Sequence, residues 1–172
     1  YGWQLGDLPC GFDHKYIFSE IGYNLKATDI QAALGITQMK KLPKFIEARR
    51  ETWDFYRNAF DGLKKLFVLP EPTSNGNPSW FGFALTIRDD APFSRNDLVT
   101  YLENNRIGTR MLFAGNLTKQ PAYANVNYRV SGALKKSDTI ANQTFWMGVS
   151  PVVTPAMRVY VVDKMMEFIK SK

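Results

Sequence analysis

The side chains best suited to bind a ligand stand just ahead of a predicted helix. Asn24 and Lys26 precede Thr28 and Asp29, either of which can cap the helix start. The amide of Asn24 and the free backbone N–H groups of the first helical turn can converge on an anion. The order of residues predicts an anion site here, with an ordinary helix entry as the alternative.

Complete catalytic sets are not evident in the sequence. There is no Ser/His/Asp set with a nucleophile elbow, no paired histidine spacing for a metal, no CxxC pair and no glycine-rich phosphate loop. His14 is the one histidine, between Asp13 and Lys15, and Cys10 is the one cysteine. We predict that neither is catalytic and that the chain has no metal site.

Composition sets the class of protein. A chain of 172 residues, 45% hydrophobic and 22% charged, has the balance of a globular domain. No apolar run reaches the roughly 20 residues of a membrane helix, and the net charge of +6 is dispersed among acidic residues. We therefore expect no membrane and no nucleic-acid partner. A single cysteine fits a reducing compartment, so we expect the cytoplasm.

The elements that must position these residues follow from periodicity and caps. An extended lead-in precedes a helix from about Thr28, which Pro43 is expected to break before a second helix ends near Gly62. Ser94 and Thr154 are predicted helix caps, and apolar alternation predicts strands. The strands are expected at 66–69, 80–88, 107–113 and 144–149, and the later helices after Ser94, over 136–143 and after Thr154. This order predicts an α+β fold with a small antiparallel or mixed sheet covered by helices.

One stretch carries a family resemblance. The run Gly22-Tyr23-Asn24-Leu25-Lys26-Ala27-Thr28-Asp29-Ile30-Gln31-Ala32-Ala33-Leu34-Gly35 resembles the G-x-N-x-R-x-x-x-x-Q-A-A-x-G segment of the DegT/DnrJ/EryC1/StrS enzymes. These are fold-type I enzymes that use pyridoxal phosphate, and the likeness covers nearly the whole chain. The resemblance implies that this chain corresponds to the C-terminal domain of such an enzyme and that its own N-terminal segment is helical.

Two further motifs are similar to the 3-dehydrase branch of that family. They are Trp80-Phe81-Gly82-Phe83 and the segment from Thr109 to Tyr123. Aminotransferases of the family usually have a histidine where Phe81 stands and a His-Tyr-x-Pro stretch in place of Phe113 to Leu117. The opening residues look most like the iron–sulfur type, which implies deoxygenation at C3 of CDP-4-keto-6-deoxy-D-glucose for the 3,6-dideoxyhexoses of lipopolysaccharide O-antigen.

The resemblance also implies which residues act. Asn24 and Lys26 would hold the phosphate of pyridoxamine or pyridoxal phosphate, reaching the partner subunit of a homodimer. Phe81, Arg110 and Asn116 would contact the nucleotide-sugar substrate. Catalytic residues and the cysteines of a [2Fe–2S] cluster would lie upstream, so this chain is expected to hold none of them and to be inactive alone.

Three questions stay open at this level. The small face formed by Ala32, Ala33 and Gly35 suits either a subunit contact or packing within the domain. The function is open between a 3-dehydrase with a flavin or iron–sulfur reductase partner, a sugar aminotransferase or GDP-sugar 3-dehydrase, and a non-catalytic dimerisation or binding module. The expected division is 1–62, at the large-domain junction and dimer interface, and 63–172, the small domain.

Overall fold

The computed structural model describes residues 7–9, 13, 16, 18, 20–23 and 25–172. The chain forms two compact units, Tyr1–Lys40 and Lys41–Lys172. The division into 1–62 and 63–172 refers to parts of a longer enzyme and stays a prediction.

The described residues contain long helices and short strands. In chain order they are α1 (Asp29–Ala59), β1 (Phe67–Val68), β2 (Gly82–Ile87), α2 (Arg95–Asn104), β3 (Thr109–Met111), α3 (Lys135–Gln143), β4 (Thr144–Gly148) and α4 (Pro155–Lys170). Short 3₁₀ turns lie at Asp61–Leu63, Leu117–Lys119 and Pro121–Tyr123.

Helix α1 begins with a capping box. The backbone N–H of Thr28 donates to Oε1 of Gln31 at 2.9 Å, and the N–H of Gln31 donates to Oγ1 of Thr28 at 3.4 Å. These two bonds satisfy donors that a helix start leaves without partners. The carboxylate of Asp29 in the first turn suits the positive end of the helix dipole. The predicted helix start is confirmed.

The expected break at Pro43 is wrong, because α1 continues through this residue. A proline inside a helix removes one N–H, the donor to the carbonyl four residues earlier, and its ring crowds that carbonyl. Sixteen residues of helix follow Pro43, up to Ala59, and Trp53 and Tyr56 among them are buried. Burial of that apolar face outweighs the local cost of one proline.

The four strands form one antiparallel sheet in the order β1-β2-β4-β3. Gly82 pairs with Gly148 and Thr86 with Thr144 across β2 and β4, and Arg110 pairs with Trp146 across β3 and β4. Within the second unit, α3 lies near β2 and β4. The arrangement confirms the predicted α+β class with an antiparallel sheet.

One face of the sheet is the core of the second unit. Phe83, Leu85, Phe145 and Met147 are buried there because alternate residues of a strand point to opposite faces. Apolar residues from three helices complete this core: Trp53, Tyr56 and Phe60 of α1, Leu98 and Leu102 of α2, and Val161, Met165 and Phe168 of α4.

Two predicted caps are confirmed. Ser94 accepts from the N–H of Asp97 while Asp97 accepts from the N–H of Ser94, a reciprocal capping box. Thr154 caps α4 by accepting from the N–H of Met157 at 3.3 Å, and Pro155 occupies the first turn.

The buried face of α4 differs from the one expected from periodicity. Three- and four-residue spacing favours a stripe of Val159, Val162, Met166 and Ile169, of which the last three are partly buried beside the core. The buried residues are Val161, Met165 and Phe168, and Val159 is 49% exposed. Apolar side chains surround much of this helix, so periodicity alone does not select one stripe. Aromatic contacts select the stripe that contains Phe168. The centroid of the Phe168 ring lies 5.1 Å from that of Phe93 and 5.2 Å from that of Tyr101.

The ring of Trp53 stacks on that of Trp80, with 4.2 Å between their centroids. It also meets the ring of Phe83 edge-on, with 5.6 Å between the centroids. We expect Trp53→Ala to lower the free energy of unfolding by about 3–5 kcal/mol, since it removes a buried ring and leaves a cavity. Urea denaturation of the chain measures this. Val152→Ala is the control, because Val152 is 76% exposed and should change stability by less than about 0.5 kcal/mol. Equal losses for the two variants would contradict the role of the stack.

Candidate functional site

The structure brings two of the predicted substrate residues close together through a third residue, Trp146. Phe81 stands just before β2, is 66% exposed, and its ring centroid lies 4.9 Å from that of Trp146. Trp146 in turn pairs with Arg110 across β4 and β3. We call Phe81, Trp146 and Arg110 the aromatic–arginine surface. It combines apolar rings with a guanidinium, groups that suit an organic anion.

The segment leading to Phe81 is fastened to α1. Nη1 of Arg49 donates to the carbonyl of Trp80 at 3.1 Å. Arg50 donates to the carbonyls of Pro78 at 3.0 Å and Asn77 at 2.8 Å. Together with the Trp53–Trp80 stack, these bonds fix the backbone next to Phe81. The exposed ring is therefore presented from an anchored segment.

A hydrogen bond and the absence of a side chain at Gly82 position the ring of Trp146. Its Nε1–H donates to the carbonyl of Met111 at 3.1 Å. Its ring lies directly over Gly82, where a Cβ would collide with ring atoms. A residue without a side chain at position 82 therefore lets the indole lie flat against β2.

Arg110 is exposed, and a carboxylate lies nearby. One guanidinium nitrogen, Nη1, donates to the carbonyl of Thr109 at 2.7 Å. Glu103 accepts from the N–H of Thr109 at 2.5 Å and from its hydroxyl at 2.8 Å. These bonds, with a smaller contribution from the charge of Arg110, hold the pKa of Glu103 below its usual value. Glu103 is thus an acceptor that orients β3.

Asn116 is buried, and its amide is bonded within the protein. Its Nδ2 donates to Asp138 at 2.7 Å, and its oxygen accepts from the N–H of Thr118 at 3.1 Å and from the hydroxyl of Thr118 at 2.7 Å. Lys119 first, and Asn116 second, lower the pKa of Asp138. The structure therefore places Asn116 as a link between a loop and α3, apart from the contacts of Phe81 and Trp146. Its role in substrate binding stays a prediction.

The predicted phosphate ligands belong to the first unit. Asn24 lies outside the described residues, so its role stays a prediction. Lys26 is exposed ahead of α1. Helix geometry leaves the N–H groups of Asp29 and Ile30 without intrahelical acceptors. A cation and two such donors fit a phosphate monoester, while the carboxylate of Asp29 opposes it.

Trp146 and Glu103 were not singled out from sequence. Trp146 lies between two buried residues of β4, Phe145 and Met147, so strand alternation places its side chain on the opposite face of the sheet. Alternation along β4 therefore indicates that Trp146 belongs to the face of the sheet opposite the core. The pairing of Glu103 with Thr109 carries no comparable signal, because it joins a helix to the strand that follows.

The described residues form neither a metal-ligand cluster nor a membrane-spanning helix. Within residues 7–9, 13, 16, 18, 20–23 and 25–172, no group of three or more His, Cys, Asp or Glu residues is arranged so that it could hold a metal ion. A helix long and apolar enough to cross a bilayer is also not found in that described part of the chain.

Comparison with known proteins identifies the family. The sequence profile of the DegT/DnrJ/EryC1/StrS aminotransferase family matches residues 9–166. The chain belongs to this family. It is 50% identical over 98% of its length to dTDP-4-dehydro-2,6-dideoxy-D-glucose 3-dehydratase of Saccharopolyspora spinosa. It is 46% identical over 98% of its length to the lipopolysaccharide biosynthesis protein RfbH of Salmonella typhimurium strain LT2.

Solved structures of this family share the fold. The Escherichia coli GDP-4-keto-6-deoxy-D-mannose-3-dehydratase with bound hydrated PLP superposes with a TM-score of 0.76 at 26% identity, over 89% of this chain and 39% of that one. The chain spans 36% and 38% of the two sequence relatives. The likeness to pyridoxal-phosphate enzymes of fold-type I is thereby confirmed, for a segment of such enzymes.

Gly82 and Gly148 offer a matched test of how Trp146 is positioned. They pair across β2 and β4, but a Cβ meets the Trp146 ring at Gly82 and open space at Gly148. We expect Gly82→Ala to displace the indole and to lower stability by roughly 1–3 kcal/mol, as overpacking does. The shift of the Trp146 indole N–H resonance reports the displacement. Gly148→Ala should leave that resonance unchanged; a similar change in both variants would contradict this account.

Proposed function

We propose that this chain is the C-terminal part of a nucleotide-sugar 3-dehydratase that uses pyridoxamine phosphate. The observation that carries the proposal is the Phe81–Trp146 pair. A ring without a titratable group stands at the position where aminotransferases of the family usually have a histidine. The similarity to a 3-dehydratase and to a lipopolysaccharide biosynthesis protein supports the same assignment.

The residues of the aromatic–arginine surface bind and orient the substrate in this proposal. Arg110 bonds two oxygens of the nucleotide diphosphate, which its planar guanidinium suits. Phe81 and Trp146 form a dry wall beside the sugar and limit access of water. In this proposal Asn116 belongs to the substrate loop, which it links to α3 through Asp138. This arrangement favours loss of the C3 hydroxyl over transfer of an amine.

Asn24 and Lys26 hold the phosphate of the cofactor. An amide and an ammonium beside a helix N-terminus together supply donors and positive charge for a phosphate monoester. When bound, pyridoxamine phosphate supplies the amine that joins the C4 ketone and the electron sink for loss of the C3 substituent. The base and the reacting groups belong to the part of the enzyme outside this chain, and we propose that the fragment is inactive alone.

The substrate is CDP-4-keto-6-deoxy-D-glucose, and the product serves 3,6-dideoxyhexose and O-antigen synthesis. Replacing the C3 hydroxyl by hydrogen consumes two electrons and two protons and releases water. We assign the electrons to a [2Fe–2S] cluster held upstream and to a flavin or iron–sulfur reductase, and we place the enzyme in the cytoplasm.

The whole enzyme is proposed to be a homodimer. Four apolar side chains in the first half of α1 support this, because they are exposed and two of them, Ile30 and Leu34, lie one turn apart on the same helical face. They are Ile30, Leu34, Ile36 and Met39, with exposed fractions of 77%, 63%, 61% and 66%.

Two other functions remain as alternatives, each with support. A GDP-sugar 3-dehydratase or a sugar aminotransferase is favoured by the shared fold and the family match. A non-catalytic dimerisation module is favoured by the exposed apolar residues of α1.

Mass spectrometry of the whole enzyme's product separates these functions. The purified enzyme is incubated with pyridoxamine phosphate, a reductase and the CDP-, dTDP- or GDP-linked 4-keto-6-deoxy sugar. We expect a CDP-sugar that has lost one oxygen atom. An aminated sugar would identify an aminotransferase, and turnover of another nucleotide would correct the substrate. An enzyme without cofactor absorbance would contradict the proposal.

Asn24→Ala tests the cofactor assignment in the whole enzyme. We expect it to weaken cofactor binding by about 1–3 kcal/mol, because one oxygen of a charged phosphate loses its donor. Titration followed by cofactor absorbance measures the affinity. Asn142→Ala is the control, since Asn142 is exposed on α3. Equal affinity in both variants would remove Asn24 from the site.

A further inference from the structure

A cavity lies between α2 and the edge strand β3 in the second unit. Its volume is about 250 Å³. Val99, Met111 and Phe145 give it apolar walls, and Arg95, Glu103 and Arg110 place charged groups around it. An apolar pocket with a few charged groups is the usual form of a small-molecule site.

Arg95 differs from two other arginines of the second unit. In Arg57, Arg95 and Arg158, Nε is buried and has no hydrogen-bond partner within the described residues. Arg57 contacts the carboxylates of Asp61 and Glu71, and Arg158 contacts Glu51. The Arg95 guanidinium donates from Nη1 to the thioether sulfur of Met111 at 2.8 Å. A thioether is a weak acceptor. Among the residues that the structure describes, no carboxylate pairs with Arg95, in contrast to Arg57 and Arg158.

The charges around the cavity favour a ligand with a single negative charge. Arg95 and Arg110 contribute two positive charges, and Glu103 contributes one negative charge that is already bonded to Thr109. The balance is a single positive charge beside apolar walls. A partly desolvated cation is stabilised by a hydrogen-bonded anion. A dianion fits less well, because Glu103 would repel its second charge.

An added peptide strand is a poor occupant, because β3 has little free edge. The N–H of Thr109 donates to Glu103, and the carbonyl of Met111 accepts from the N–H of Phe113 at 2.7 Å. Strand addition needs such backbone groups to be unpaired. The geometry therefore favours a small molecule.

We infer that the cavity between α2 and β3 binds a small organic carboxylate, with its apolar body against Val99, Met111 and Phe145 and its carboxylate on Arg95. This site shares Arg110 with the proposed substrate surface, but its carboxylate ligand is bound by Arg95 and takes no part in the dehydratase reaction. It requires neither the cofactor nor the part of the enzyme outside this chain.

Nuclear magnetic resonance titration of the chain with benzoate tests this inference. We expect saturable shifts of the Val99, Met111 and Phe145 resonances, and at least about tenfold weaker binding of benzamide, which lacks the charge. Tighter binding of phenyl phosphate than of benzoate would overturn the choice of a carboxylate. Absence of saturable shifts, or equal binding of benzoate and benzamide, would overturn the site.

Two variants assign the binding to Arg95 and to the cavity. Arg95→Met should weaken benzoate binding by about tenfold or more, whereas Arg106→Met removes an exposed arginine and should leave it unchanged. Val99→Phe should abolish binding by filling the cavity while Arg95 remains. Thermal unfolding verifies that each variant is folded. Unchanged binding in Arg95→Met, or in a folded Val99→Phe, would overturn the inference.

Discussion

Stacking of Trp53 on Trp80 is the contact on which the rest of the second unit depends. It joins the last turns of α1 to the segment just ahead of β2, with the two rings nearly parallel at 6°. The buried ring of Trp53 also meets Phe83 in the centre of the sheet. One pair of rings thus couples the core to the exposed Phe81 next in sequence. The core and the candidate surface are consequently parts of one packed structure.

The candidate surface and the cavity both depend on β3, a strand of three residues. Residues of a strand alternate between faces, so Arg110 pairs with Trp146 while Met111 pairs with Phe145. Arg110 belongs to the candidate surface through Trp146, and it also lines the cavity. Glu103 orders the start of this strand through Thr109, which explains why a short edge element keeps a defined register.

Local signals predicted much of the fold, and longer-range packing decided the remainder. The caps at Ser94 and Thr154 and the alternation of β2 depend on neighbours in sequence, and they were predictable. Continuation of α1 through Pro43 depends on burial of residues further along, which no local pattern contains. The same holds at the candidate site. Phe81 and Arg110 were identifiable by family resemblance, whereas their connection through Trp146 required the sheet register.

The occupied edge of β3 has a consequence for how copies of this protein can associate. An open edge of a sheet is a template on which another chain can add a strand, and it promotes aggregation. Here Glu103 and Phe113 take up backbone groups of β3 that such a chain would need. Self-association is thereby directed away from backbone pairing at this edge and toward contacts between side chains. Such contacts can be altered one residue at a time without disturbing the sheet.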